Sequence, residues 1–75
     1  MKQEKDREYD CALAEILVDR NIAQQEVAQA IGMSRQTIRA IGKGLAEPSL
    51  TTALKLAQFF HIPVEEIFEL RLSKK

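Results

Sequence analysis

The sequence predicts a small all-α domain, a compact bundle of five short helices with room for one short strand at its C-terminal end. Three observations carry that prediction. Apolar residues recur at three- and four-residue spacing through most of the chain. Gly32, Ser34, Gly44, Pro48, Ser49 and Pro63 punctuate the pattern where helices must stop or start. Period-two alternation is confined to the end of the chain, Phe68-Glu69-Leu70-Arg71-Leu72.

Length and composition bound the rest. With 75 residues, one domain is the only sensible count. A domain of this size buries only roughly 60% of its unfolded surface and is marginal alone, so self-association is a physically attractive source of stability. The single cysteine forms no internal disulfide, and no Cys/His cluster is present to hold a metal. No cofactor is expected. Hydrophobic residues make up 45% of the chain, enough for a helical core. No apolar run approaches the ~20 residues of a membrane span. Met1-Lys2-Gln3-Glu4-Lys5 has no apolar segment of the kind a signal peptide needs, which makes a reducing cytoplasm the expected compartment. An enzyme is disfavoured. The chain shows no Ser/His/Asp set and no phosphate-binding glycine loop, and its one cysteine, Cys11, and one histidine, His61, fall in different predicted helices.

Residues 1–8 read as a charged, partly flexible arm, residues 9–69 as the domain, and residues 70–75 as a tail. The first helix is expected from near Asp6 to near Arg20, with Tyr9, Leu13, Ile16 and Leu17 as its apolar stripe. Asn21 is its stop, and Ile22 plugs the following loop. The second helix starts at Gln24 and turns Val27, Ala28 and Ile31 inward. Gly32 suits the left-handed position that ends it. Ser34 is placed to cap the third helix, about 35–41, by accepting from the amide of Gln36 or Thr37. Ile38 and Ile41 are that helix's inward residues, which leaves Arg35, Gln36 and Arg39 outward. Ser49, after Pro48, caps a fourth helix whose inward face reads Leu50, Ala53, Leu54 and Ala57, extended by Phe60, with Phe59 beside it. Pro63 opens a fifth helix from Val64 to about Glu69, with Glu65, Glu66 and Glu69 as an acidic outer face. The alternating tail predicts a short strand, and the alternative is a frayed continuation of the fifth helix.

The centre of the chain is the stretch from Gln24 to Gly44. A helix, a turn containing glycine and a second helix with an outward Arg/Gln/Arg face make a helix-turn-helix, and Arg and Gln are side chains that read guanine and adenine in the major groove. Net charge is zero, which counts against a nucleic-acid binder. The distribution softens that objection. Residues 1–20 carry four basic and six acidic groups, whereas residues 33–45 carry Arg35, Arg39 and Lys43 and no acid. A locally positive face on a neutral body is expected.

The run Gln24-x-x-Val27-Ala28-x-x-Ile31-Gly32-Met33-Ser34-Arg35-Gln36-Thr37-Ile38, followed by Gly44, Pro48-Ser49-Leu50 and Leu54-x-x-Ala57, resembles the Cro/lambda-repressor (XRE) type of helix-turn-helix regulator. The likeness runs from about Leu13 to Phe68. It implies a lambda-repressor-like fold and a DNA-binding transcriptional regulator, most simply a repressor acting as a homodimer on a palindromic operator in double-stranded DNA. By motif position, Arg35, Gln36, Arg39 and Ala40 are the expected base readers, with Ala40 against a thymine methyl. Gln24, Thr37 and Lys43 are the expected phosphate contacts, helped by the backbone amides of Gly44 and Leu45. Ala23 stands where the family usually has a capping Ser or Thr. Leu17 and Gly42 stand where the family commonly places a buried Arg/Glu pair. Loss of both halves is tolerable where loss of one is not, though Gly42 predicts a looser last turn of the third helix. Glu47 stands in a loop that is often basic. Phe59, Phe68, Leu70 and Leu72 are the expected dimer seam. No membrane partner and no small-molecule ligand is expected. The competing class is a protein-interaction module, antitoxin-like or anti-repressor-like, on the same fold.

Overall fold

A computed structural model describes residues 8–71. The arm up to residue 7, the expected helix start near Asp6, and Leu72 of the expected seam lie outside the described residues. Among the described residues the chain forms four α-helices, one 3-10 turn and a two-stranded antiparallel sheet. The order is β1 (Tyr9–Cys11), α1 (Leu13–Arg20), α2 (Gln24–Ile31), α3 (Arg35–Gly42), α4 (Leu50–Phe60), the 3-10 turn (Val64–Glu66) and β2 (Phe68–Leu70). No helix among the described residues is long and apolar enough to cross a membrane.

Two expectations about the ends of the domain are corrected together. Tyr9-Asp10-Cys11, expected within the first helix, is a strand, and α1 begins at Leu13. The fifth helix does not form. Val64–Glu66 makes a single 3-10 turn, after which the chain extends as β2. Five helices become four because these two segments pair with each other, Tyr9 opposite Leu70, Asp10 opposite Glu69 and Cys11 opposite Phe68. The pairing is closed at one end by the Ala12 amide on the Ile67 carbonyl, 2.8 Å, and at the other by the Arg71 amide on the Glu8 carbonyl, 2.8 Å. Across it the Tyr9 and Phe68 rings meet edge to face at 6.0 Å. The Arg71 guanidinium donates to Asp10 from Nε at 2.8 Å and approaches the same carboxylate oxygen from Nη2 at 2.7 Å. That hydrogen bond holds the Arg71 guanidinium above its ordinary pKa. The C-terminal strand was correctly expected, but its partner lies in the same chain.

The helix ends follow their local chemistry. Asn21 closes α1 in the left-handed region at φ 58°, with its amide turned back to Leu17 and Val18 carbonyls. Gly32 closes α2 at φ 76°. Ser34 and Ser49 cap α3 and α4 by accepting from the amides of Thr37 and Thr52, each at 3.1 Å. His61 ends α4 at φ 60°, a conformation more costly for histidine than for glycine.

The core draws Leu13 and Leu17 from α1, Val27, Ala28 and Ile31 from α2, and Ile38 and Ile41 from α3. Leu56 and Phe60 of α4 and Ile67 complete it. No polar side chain is buried among the described residues. The inward face of α4 is corrected. Leu50 and Leu54 are 75% and 52% exposed, and the buried pair is Leu56 and Phe60. Ala53 and Ala57 are half-buried beside that pair. With leucines at 50, 54 and 56, the sequence offers two apolar stripes, Leu50/Leu54 and Leu56/Phe60, roughly a third of a turn apart at 3.6 residues per turn. The one that carries Phe60 wins. Arg20 ties α1 to the end of α4, donating from Nη1 to the Phe60 carbonyl at 2.7 Å while its guanidinium lies 5.6 Å from the Phe60 ring centre.

Candidate nucleic-acid interface

The outward face of α3 is built by what the helix must hide. Ile38 and Ile41, three apart, are both buried against α1 and α2. That fixes the rotation of α3 and leaves Arg35, Gln36 and Arg39 exposed, with Thr37 and Ala40 half-buried at the margins. The start of the helix is held by Ser34. Besides the cap, its hydroxyl lies 2.8 Å from the Thr37 hydroxyl. Among the described residues no ion pair engages Arg35, Arg39 or Lys43. Three cations with no acid between residues 33 and 45 therefore face solvent together. Such a surface attracts a polyanion, and its Arg and Gln side chains match guanine and adenine edges in a groove that admits an α-helix.

Most of the expected base readers come together. Gln36, Arg39 and Ala40 share a shallow depression of about 390 Å³ with Lys43 and Leu45. Arg35 stands one turn back along the helix, outside the depression. Gln24 is not part of this group. It is half-buried at the start of α2 and lines a different depression with Ala14, Leu17, Val18, Asn21 and Ile22. Ala23 precedes it with no side-chain cap, as its residue type implies.

Two of the expected phosphate donors are engaged within the chain. The amides of Gly44 and Leu45 already donate within the chain, to the Ile41 carbonyl at 3.1 Å and the Ala40 carbonyl at 2.8 Å. A phosphate would have to compete with those bonds. The same bonds, with Lys43 on Arg39 at 3.0 Å, close the last turn of α3 that Gly42 was expected to loosen. Gly42 itself packs against the start of α1, where an added Cβ would lie 3.8–3.9 Å from Ala14 and Leu13. Leu17, the other position of the missing ion pair, is buried in the core. Both sites are apolar, so no charge is stranded.

The expected seam residues divide. Phe68 and Leu70 line a groove of about 250 Å³ with Tyr9, Leu50 and Val64. Phe59 stands elsewhere, edge-on to Phe60 at 4.9 Å and beside Ala30 and Ile31. Tyr9 and Leu50 were missed as members of that groove. Each was assigned to a buried helix face, and only the pairing of β1 with β2 and the true rotation of α4 bring them to it.

A helix-turn-helix family model matches residues 13–67. An uncharacterised HTH-type transcriptional regulator of Methanocaldococcus jannaschii is 50% identical over 48 residues, 64% of this chain and 73% of that protein. The cryptic phage CTXphi transcriptional repressor RstR of Vibrio cholerae is 36% identical over 59 residues, 79% of this chain and 53% of the repressor. A transcriptional regulator from Listeria innocua has the same fold, with a TM-score of 0.71 at 16% identity, over 84% of this chain and 59% of that one. The chain thus spans little more than half the length of the last two. These relatives are named as regulators, not as enzymes. With the capped helix pair, the outward Arg/Gln/Arg face and the match over residues 13–67, the chain belongs to the XRE-type helix-turn-helix family of DNA-binding transcriptional regulators.

Proposed function

We propose that this chain is a sequence-specific repressor that binds a palindromic operator as a homodimer, with α3 in the major groove. The observation that carries the reading is the exposed Arg35/Gln36/Arg39 face on a helix locked in rotation by Ile38 and Ile41. Arg35 reads guanine and Gln36 adenine, Arg39 reads a base or grips phosphate, and Ala40 meets a thymine methyl. Gln24, Thr37 and Lys43 hold phosphates and set the register. In this reading the amides of Gly44 and Leu45 steady the loop rather than bind phosphate. The similarity to a phage repressor supports repression as the outcome. The cytoplasm, where the DNA is, is the proposed compartment.

The proposed dimer uses the apolar groove beside the sheet. Leu50 and Leu70 are largely exposed there, next to Phe68 and Tyr9. Two such faces joined about a two-fold axis would set the two α3 helices on half-sites ~34 Å apart. Phe59, on another side of α4, falls outside this seam. One observation favours the competing interaction-module reading: Glu47, Glu65, Glu66 and Glu69 are all exposed on a chain of zero net charge.

Selection from random duplex DNA at low salt tests the proposal. Recovery of an inverted repeat supports a dimeric DNA reader. Failure to enrich any sequence overturns it and favours the interaction module.

A further inference from the structure

Among the described residues, Leu45 is the one large apolar side chain left exposed on the basic face. It is 66% exposed, and it borders the depression shared by Gln36, Arg39, Ala40 and Lys43. Of the other exposed large apolar residues, Leu50 and Leu70 lie together over a separate groove and Val18 borders the depression at Gln24, so Leu45 is not an outlying part of either patch. Its position is fixed. The Leu45 amide donates to the Ala40 carbonyl at 2.8 Å, and the Ala46 amide reaches the same oxygen at 3.3 Å. Gly44, at φ 78°, supplies the left-handed turn that folds the loop back onto α3. The loop thus holds an isobutyl group beside Ala40, at a depression whose charged lining residues are Arg39 and Lys43, with Glu47 exposed two residues further along the loop.

An apolar side chain has nothing to offer a phosphate, and its own amide is already used. The major groove presents one apolar group, the C5-methyl of thymine. We propose that Leu45 is a specificity residue, its side chain packing on a thymine methyl in each half-site. This rests on the DNA-reading role proposed above and adds to it a position outside the recognition helix.

The experiment replaces thymine by deoxyuridine, one position at a time, in the selected duplex. The change removes a single methyl and leaves the base pair intact. Binding of the native chain and of Leu45→Ala is measured on each duplex. Leu45 belongs to no buried cluster, so its truncation leaves the fold intact, which circular dichroism checks. One position per half-site is expected at which deoxyuridine weakens native binding by about fourfold, the value of one buried methyl. Leu45→Ala is expected to bind the thymine duplex more weakly and to lose the distinction between thymine and uracil at that position. Full retention of the distinction by Leu45→Ala overturns the assignment and hands the methyl to another side chain. Sensitivity at no position overturns it equally. A native chain that enriches no duplex at all overturns the DNA-reading role, and this inference with it.

Discussion

Replacing Gly42 by alanine is expected to stabilise the domain. Gly42 is the last residue of α3, and its φ lies outside the left-handed region. An added Cβ would meet the Ala14 amide nitrogen at 3.8 Å, the Ala14 Cβ at 3.9 Å and Leu13 Cδ2 at 3.9 Å, all ordinary contact distances. Nothing need move. The gain has two parts. Removing the glycine's freedom from the unfolded chain is worth about 0.4–1 kcal/mol at a compatible site. Three new close pairs add about 0.1–0.2 kcal/mol each before the loss of hydration is counted. A net gain of about 0.5–1 kcal/mol is expected, which for a domain of this size raises Tm by roughly 2–8 °C. Gly32→Ala is the control. No atom lies within 4 Å of its Cβ position, yet its φ of +76° makes any side chain strained. It is expected to lower stability by about 1 kcal/mol despite the open space. Urea unfolding followed by circular dichroism, with an unchanged slope, measures both. A destabilised Gly42→Ala would refute the reasoning, because the end of α3 could then not pack on α1 as described.

Two further substitutions test how the core is assigned. Leu56→Ala is expected to cost about 2–5 kcal/mol and Leu54→Ala well under 1 kcal/mol, since Leu56 is wholly buried and Leu54 half exposed; comparable losses by chemical denaturation would mean α4 is rotated. Arg20→Ala is expected to cost about 1–2 kcal/mol by removing a charged donor from the Phe60 carbonyl, with Lys restoring only part of it because a compact ammonium cannot reproduce the planar contact with the ring.

The legible parts of the fold were those set by neighbours in sequence. Gly32, Ser34 and Ser49 end or start helices through bonds to residues within a few positions. Ile38 and Ile41 fix a face through helical spacing alone, and the outward Arg/Gln/Arg set follows. What escaped was set by partners far along the chain. Tyr9 fits a helical stripe with Leu13 and also a strand with Cys11, and only β2, some sixty residues on, decides between them. The fifth helix failed for the same reason, because Phe68 and Leu70 have a strand to pair with. On α4, local spacing could not choose between the stripe through Leu54 and the one through Leu56. Leu45 was read for its amide, and its exposed side chain became visible only with the loop folded onto Ala40.

The central claim is that α3 reads base edges. It is tested most directly by titrating the selected duplex, each base pair of one half-site varied in turn, with the native chain and with Gln36→Ala. The account predicts that Gln36→Ala loses about 1–3 kcal/mol of affinity and becomes indifferent to the base at one position per half-site, while preferences elsewhere are kept. A variant that binds as tightly as the native chain with the same base preferences would contradict it, and so would a native chain that binds every duplex alike.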